Sequence, residues 1–249
     1  MVIFSGFFFV IILLAILFPS SYVERTRSLP PPMTISLTQL DPVIRSRSLL
    51  THYFYKQKWN MGELTKEELV VYAKEYFHLA KRVPGIVSRV KQRAVAAGRT
   101  DITSDIEKNI EEETQHVDLW KRFAKSLGVS DAEMEAYIPS KTTQDAVSDL
   151  EKLAEGSLED GVTAMYAMEL SLPEIAKTKK EGLCEFYGLT SKDAHVYFDE
   201  HLNEEEHFSV WRKVEVDPVR AFKIAKMSLH AQHKVLDGVC EMCGFCISC

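Results

Sequence analysis

At 249 residues and 46% apolar side chains, the chain can bury one good core with appendages, which argues against two large domains. A formal net charge of -6 leaves no electrostatic footprint for nucleic acid, and that class of partner is excluded. Five cysteines, four of them in the last ten residues, exclude a disulfide framework for the core.

In chain order, residues 1–23 carry no charge, and their dense apolar part, residues 2–18, is just long enough to span a bilayer. The stretch lacks a basic n-region and a small-x-small cleavage site, so it is a poor secretory signal. Two readings stay open. Arg25 and Arg27 on the downstream flank would keep an anchored body on the cytoplasmic side. Alternatively, translation starts at Met33, after Pro30-Pro31-Pro32, and the working protein is cytoplasmic without the leader. The division that follows is a leader or anchor with a Pro-rich linker over 1–32, a helical domain over 33–238, and a Cys-rich tail over 239–249.

From residue 34 the pattern is helix after helix. Asp41-Pro42 caps a helix expected to run to about residue 59, where Gly62 breaks it. Thr65-x-x-Glu68 is a capping box and opens a helix through Tyr72 and Tyr76, disturbed at Pro84-Gly85 and closed near Gly98. A third spans residues 101–127. Ser130-x-x-Glu133 starts a short one, and another covers 143–155. Ser157-x-x-Asp160 opens a helix bearing Glu169, with Pro173 expected to bend it just beyond. Ser191 opens a helix expected to carry both His201 and His207. Asp217-Pro218 opens the last, expected to end at Gly238. No stretch alternates with period two over strand length. The fold class is all-α, a bundle of about seven or eight helices.

Three of these helices carry groups that suit a metal. Glu113-x-x-His116 sets a carboxylate and an imidazole on adjacent turns of one face. By itself such a pair is common on solvated helices. Glu169 lies among Met165, Tyr166, Met168, Leu170 and Leu172, where a carboxylate needs a partner or a metal to offset desolvation. His201, Glu204, Glu205 and His207 supply two imidazoles with carboxylates between them, although an acidic exposed face with incidental histidines is the plainer reading. Together these give six oxygen and nitrogen ligands suited to iron or manganese. On an undistorted helix His201 and His207 are about 120° apart with Glu204 midway, and Glu205 points about 160° from His207. That favours Glu204, whereas a bulge would bring in Glu205. The tail Cys240-x-x-Cys243-x-x-Cys246-x-x-Cys249 approaches an iron–sulfur spacing, with a flexible redox-active thiol tail as the simpler reading.

On these residues the chain resembles the CADD-like branch of the haem-oxygenase-like, TenA/PqqC-type family of non-haem di-metal oxygenases. The likeness covers residues 33–249. It rests on Phe54-Tyr55 with Trp59, Gly62-Glu63-Leu64-Thr65, Tyr72-Ala73-Lys74, His116-Val-Asp-Leu-Trp120, Glu169 with Pro173-x-Ile175-Ala176, Tyr197-Phe198-x-Glu200-His201 and the terminal cysteines. The family's His-x-x-x-Asp-x-x-His is one residue shorter here and carries Glu for Asp.

The resemblance implies a haem-oxygenase-like bundle and a dinuclear site, iron or iron with manganese, held by Glu113, His116, Glu169, His201, Glu204 or Glu205, and His207. It implies an O2-dependent oxidoreductase that makes 4-aminobenzoate for folate biosynthesis at the cost of its own side chains. Tyr55 is the matching ring source, Tyr72 a second tyrosine near the site, and Lys179 the amino donor. An external reductant is required, and no separate organic substrate. A tyrosine packed beside the metals would be the nearest target for the oxidant. Two other functions stay open: the same site acting on a free small substrate, and a helical surface that binds host death domains, for which the branch is named. Helical surfaces of this kind also pair as homodimers.

Overall fold

A computed structural model describes residues 33–203 and 205–245. The leader, Glu204, Cys246 and Cys249 lie outside the described residues. Among the described residues, eight helices of nine residues or more and three shorter ones follow in order. They are α1 (Asp41–Ser46), α2 (Lys66–Ala80), α3 (Val83–Ala96), α4 (Thr100–Ser126), α5 (Asp131–Ala136), α6 (Lys141–Ala154), α7 (Leu158–Glu169), α8 (Leu172–Glu185), α9 (Lys192–Glu200), α10 (Glu205–Ser209) and α11 (Pro218–Met242). The extended backbone that pairs is a single bridge between Ile35 and Val216. No described helix is long and apolar enough to cross a membrane.

The layout follows from which stripe each helix must hide. α4 buries Ile102, Ile106, Asn109, Glu113, His116, Trp120 and Phe123, a seam repeating every three or four residues. That seam packs on α3, α2 and α9. The Trp120 indole donates to the Ala73 carbonyl of α2 at 2.8 Å and fixes the two helices in register. α7 is buried on all sides apart from Glu159, as the central rod of a bundle must be. α11 closes the other side against α6, α7 and α2. The capping boxes at Thr65, Ser130 and Ser157 all form, each with both reciprocal bonds.

Four expectations need correction. Residues 41–59 are not one helix: α1 stops at Ser46, a 3-10 turn covers Leu49–Thr51, and Phe54–Lys58 is a π-helix. The cause lies in the side chains, since Ser48 Oγ and His52 Nδ1 accept the backbone N–H groups of Leu50 and Phe54. Pro173 does not bend a continuous helix; α7 ends at Glu169 and α8 begins anew at Leu172, with the proline in its first turn. His201 and His207 are on different helices, because α9 ends at Glu200 and His207 belongs to α10. Finally, α11 runs past Gly238 to Met242, carries Cys240 and is capped by Cys243, so these two thiols are not part of a flexible tail. Gly238 is in that helix for contact, not termination: a Cβ there would strike the hydroxyls of Thr143 and Ser140. Burial pushes both thiols up to about 12, away from thiolate reactivity at neutral pH.

Candidate metal centre

Glu113 and His116 face inward from consecutive turns of α4, 6% and 7% exposed, with His116 Nδ1 3.3 Å from the Glu113 carboxylate. His201, at the C-terminal end of α9, brings its ring to 4.4 Å from that of His116. Ligand atoms of Glu113, His116 and His201 lie within 4.8 Å of one another, and all three residues are buried. His201 Nδ1 donates to the Tyr197 carbonyl at 2.6 Å, which leaves the lone pair on Nε2, the tautomer a metal requires. The same bond explains why α9 stops there: the imidazole occupies the carbonyl that a further turn would use.

Glu169 is 2% exposed at the end of α7 and accepts a 2.6 Å hydrogen bond from the Trp211 indole. It lines a cavity of about 30 Å³ together with Glu113, His201, Tyr76 and Tyr197. Two carboxylates and an imidazole thus meet at one small chamber. His207 reaches the edge of the group, its ring 5.9 Å from that of His116 and its Nε2 2.5 Å from Glu112. The Asn109 amide holds the His207 backbone carbonyl at 3.2 Å and so ties α10 to α4. Glu205 is turned away and pairs with Arg212 at 2.7 Å. Because α9 ends at Glu200 and α10 begins at Glu205, His201 and His207 are not spaced by the turn of one continuous helix. On the outer side, a cavity of about 560 Å³ is bordered by His116, His207, Glu112, Asp199 and Glu200.

Burial opposes ionisation of Glu113, but the His116 hydrogen bond and the neighbouring His201 and His207 outweigh it and hold the carboxyl below its usual range. The donor set, oxygen and imidazole with the His201 tautomer already fixed, fits a hard or borderline cation of the iron or manganese kind.

Beside this centre is an aromatic chamber. Lys179, 3% exposed, sits among the rings of Tyr76 (4.6 Å), Tyr72 (5.4 Å), Phe198 (5.5 Å) and Trp120 (5.7 Å). Burial lowers its ammonium to about 7. Tyr55 and Tyr72 are fully buried, and neither hydroxyl has a hydrogen-bond partner. Burial pushes both phenols well above the ordinary tyrosine range; Tyr76 adds to the rise at Tyr55 and Tyr55 to the rise at Tyr72, and the two hydroxyls do not meet with hydrogen-bond geometry. Tyr55 is not on the cavity wall; Tyr76 and Tyr197 are. Ring contacts connect Tyr197, Trp120, Tyr76 and Tyr72 at 4.7, 5.0 and 5.7 Å, and Phe54 bridges Tyr72 to Tyr55 at 5.1 and 5.5 Å.

Sequence reasoning did not single out Trp211, Asn109 or Glu112. Asn109 had a signal, an amide on the apolar seam of α4. Trp211 had none, because it lies in a turn (Trp211–Lys213) outside any periodic stretch.

Residues 37–242 match the model of the TENA/THI-4/PQQC family. The chain belongs to that family. It is 38% identical over 170 residues to the 4-aminobenzoate synthase of Chlamydia muridarum, which spans 66% of this chain and 70% of that protein. It is 30% identical over 230 residues to the 4-aminobenzoate synthase of Nitrosomonas europaea, spanning 82% and 90%. Among solved structures, a CADD-like protein of unknown function from Nostoc punctiforme matches with a TM-score of 0.65 at 19% identity, over 83% of this chain and 97% of that one. A domain with a heme oxygenase-like fold from Shewanella denitrificans gives 0.69 at 16% identity, over 84% and 94%. The expected all-α, haem-oxygenase-like bundle is the fold of this TENA/THI-4/PQQC member.

Proposed function

We propose that the chain is an oxygen-dependent 4-aminobenzoate synthase that draws ring and nitrogen from its own side chains. Tyr55 supplies the ring and Lys179 the amino group. Glu113, His116, Glu169, His201, His207 and a carboxylate from residues 204–205 would hold two metal ions, iron or iron with manganese. Such a pair, given an external reductant, supplies the activation of dioxygen.

The observation that carries this reading is the absence of room. The cavity against Glu113 and Glu169 holds about 30 Å³, enough for a diatomic gas or a water or two and too little for an aromatic acid. The rings on its wall, Tyr76 and Tyr197, are the protein's own, and ring contacts through Trp120, Tyr72 and Phe54 lead from them to Tyr55. Lys179 complements this, because burial to about 7 leaves a large neutral fraction at physiological pH, and the neutral amine is the nucleophilic form. Burial keeps the Tyr55 phenol protonated, so its oxidation must also release the phenolic proton. Four relatives carrying the 4-aminobenzoate synthase name support the product.

One observation favours a second reading, in which the same centre acts on a free small substrate: the 560 Å³ outer cavity borders His116 and His207. A single experiment separates the two. The full chain is loaded with iron without oxygen, then exposed to air with reductant, and 4-aminobenzoate is measured alongside the mass of the Tyr55 peptide. Product with a matching loss at Tyr55 is expected. A Tyr55→Phe variant that yields as much product overturns the self-substrate reading, and a folded protein that takes up no metal overturns both.

A further inference from the structure

Tyr55 presents a positioning problem. Its ring is fully buried and its hydroxyl has no hydrogen bond, so no polar tether sets where the phenol sits. Ring packing against Phe54 and Trp59 and the backbone must do so, and the backbone at Tyr55 is a π-helix, Phe54–Lys58, a geometry that regular helix bonding does not hold. Its first N–H groups have no partner within the element.

His52 supplies one. It is 8% exposed and extended (φ -70, ψ 150), and its Nδ1 accepts the Phe54 N–H at 3.1 Å. An extended residue whose side chain accepts the N–H two positions on is the geometry of a helix N-cap. The acceptor role leaves Nδ1 unprotonated and puts the proton on Nε2. That nitrogen donates to Asp237 Oδ1 of α11 at 2.9 Å. The His52 carbonyl also accepts from Lys56 N at 3.0 Å, and the His233 ring packs edge-on against its imidazole at 5.4 Å. One buried imidazole therefore joins α11 to the first turn of the π-helix, with each ring nitrogen given one role by its partner.

We infer that His52 is a positioning residue for the self-sacrificing reaction: it caps the π-helix through the Phe54 N–H and so fixes Tyr55 as the ring that is consumed. This rests on the synthase reading above. His52 touches no reacting atom; it acts through the backbone.

The test uses the full chain with His52→Ala and His52→Asn. Asparagine is the decisive variant, because its Oδ1 occupies the place of Nδ1 and is among the best cap acceptors, while the link to Asp237 is lost. Hydrogen exchange at the Phe54 and Tyr55 amides is read first, without metal or oxygen. His52→Ala should exchange there about tenfold faster, and His52→Asn close to the parent. Iron-loaded protein is then exposed to air with reductant, and the site of side-chain loss is mapped by mass. His52→Ala should bind iron as the parent does, yet lose Tyr55 in about a tenth as many chains, with oxidation moved to neighbouring aromatics. His52→Asn should restore loss at Tyr55. Unchanged exchange and unchanged consumption of Tyr55 in His52→Ala overturn the proposal, as does an asparagine variant that behaves like alanine. A parent chain that consumes no Tyr55 overturns the synthase reading instead, and the exchange measurement still decides whether His52 caps the π-helix.

Discussion

The metal centre and the aromatic chamber share Tyr76 and Tyr197 as a common wall, yet they treat polar atoms in opposite ways. In the centre each group is held: His116 by Glu113, His201 by the Tyr197 carbonyl, Glu169 by Trp211, His207 by Glu112. In the chamber the hydroxyls of Tyr55 and Tyr72 are buried without partners, and Lys179 has aromatic faces around it in place of a carboxylate. Buried polar groups are normally satisfied, and leaving one unsatisfied costs about 1–3 kcal/mol. A fold that satisfies its ligands and leaves its tyrosines and lysine dry has the signature of a preorganised site beside reactive side chains. The contrast makes opposite forecasts for substitutions on its two sides.

The largest effect belongs on the held side. His116→Ala removes a ligand and leaves Glu113 buried without its hydrogen bond, so iron affinity should fall by about 100-fold or more. Equilibrium dialysis of the folded variant measures it. Trp211→Phe is milder. It keeps the packing and deletes one donor to Glu169, for which the expected loss is about 10-fold to 100-fold in metal affinity. A Phe variant with parental affinity would show that the carboxylate is oriented without the indole.

How far the sequence reveals this contrast depends on which forces each part uses. The seam of α4 is legible because burial imposes a period, and two charged residues on an apolar stripe stand out. The three capping boxes are legible because their chemistry is local. The π-helix bearing Tyr55 is not: no glycine or proline follows Pro42 before residue 60, and the outcome depends on Ser48 and His52 side chains taking backbone donors. Nor is the break between His201 and His207, which follows from one imidazole bonding a carbonyl a turn behind it. Gly238 misleads for a third reason, since a close approach to α6 and a helix end ask for the same residue. Lys179 reads as a solvated charge in its Lys-rich stretch, and only the tertiary packing shows it to be caged.

On the dry side, Lys179→Met should stabilise the fold while abolishing 4-aminobenzoate. Burial lowers the ammonium from its ordinary 10.5 to about 7, so between those values the unfolded chain binds the extra proton and stability rises with pH. The aromatic cage returns part of the desolvation cost through cation–π attraction. The net expectation is a variant about 1–3 kcal/mol more stable than the parent at pH 7, with the gap closing toward pH 10. Urea unfolding of both proteins across that range reads it. A gap independent of pH would mean that the lysine carries no desolvation penalty.

The smallest effect should come from Glu205. Its carboxylate is 74% exposed and bonded to Arg212, whose guanidinium also contacts Tyr166 and lies over Phe208. An exposed ion pair of this kind contributes about 0–1 kcal/mol, so Glu205→Gln should change stability by about 0.5 kcal/mol or less. If the carboxylate stays with Arg212 when metal binds, affinity for iron should remain within about threefold of the parent, because the group is outside the ligand set. A loss of tenfold or more would mean that Glu205 leaves Arg212 to become a ligand. That would move it from the solvated rim to the held side of the comparison and make Arg212 the group that competes with the metal for it. The same dialysis measurement used for His116→Ala distinguishes the two.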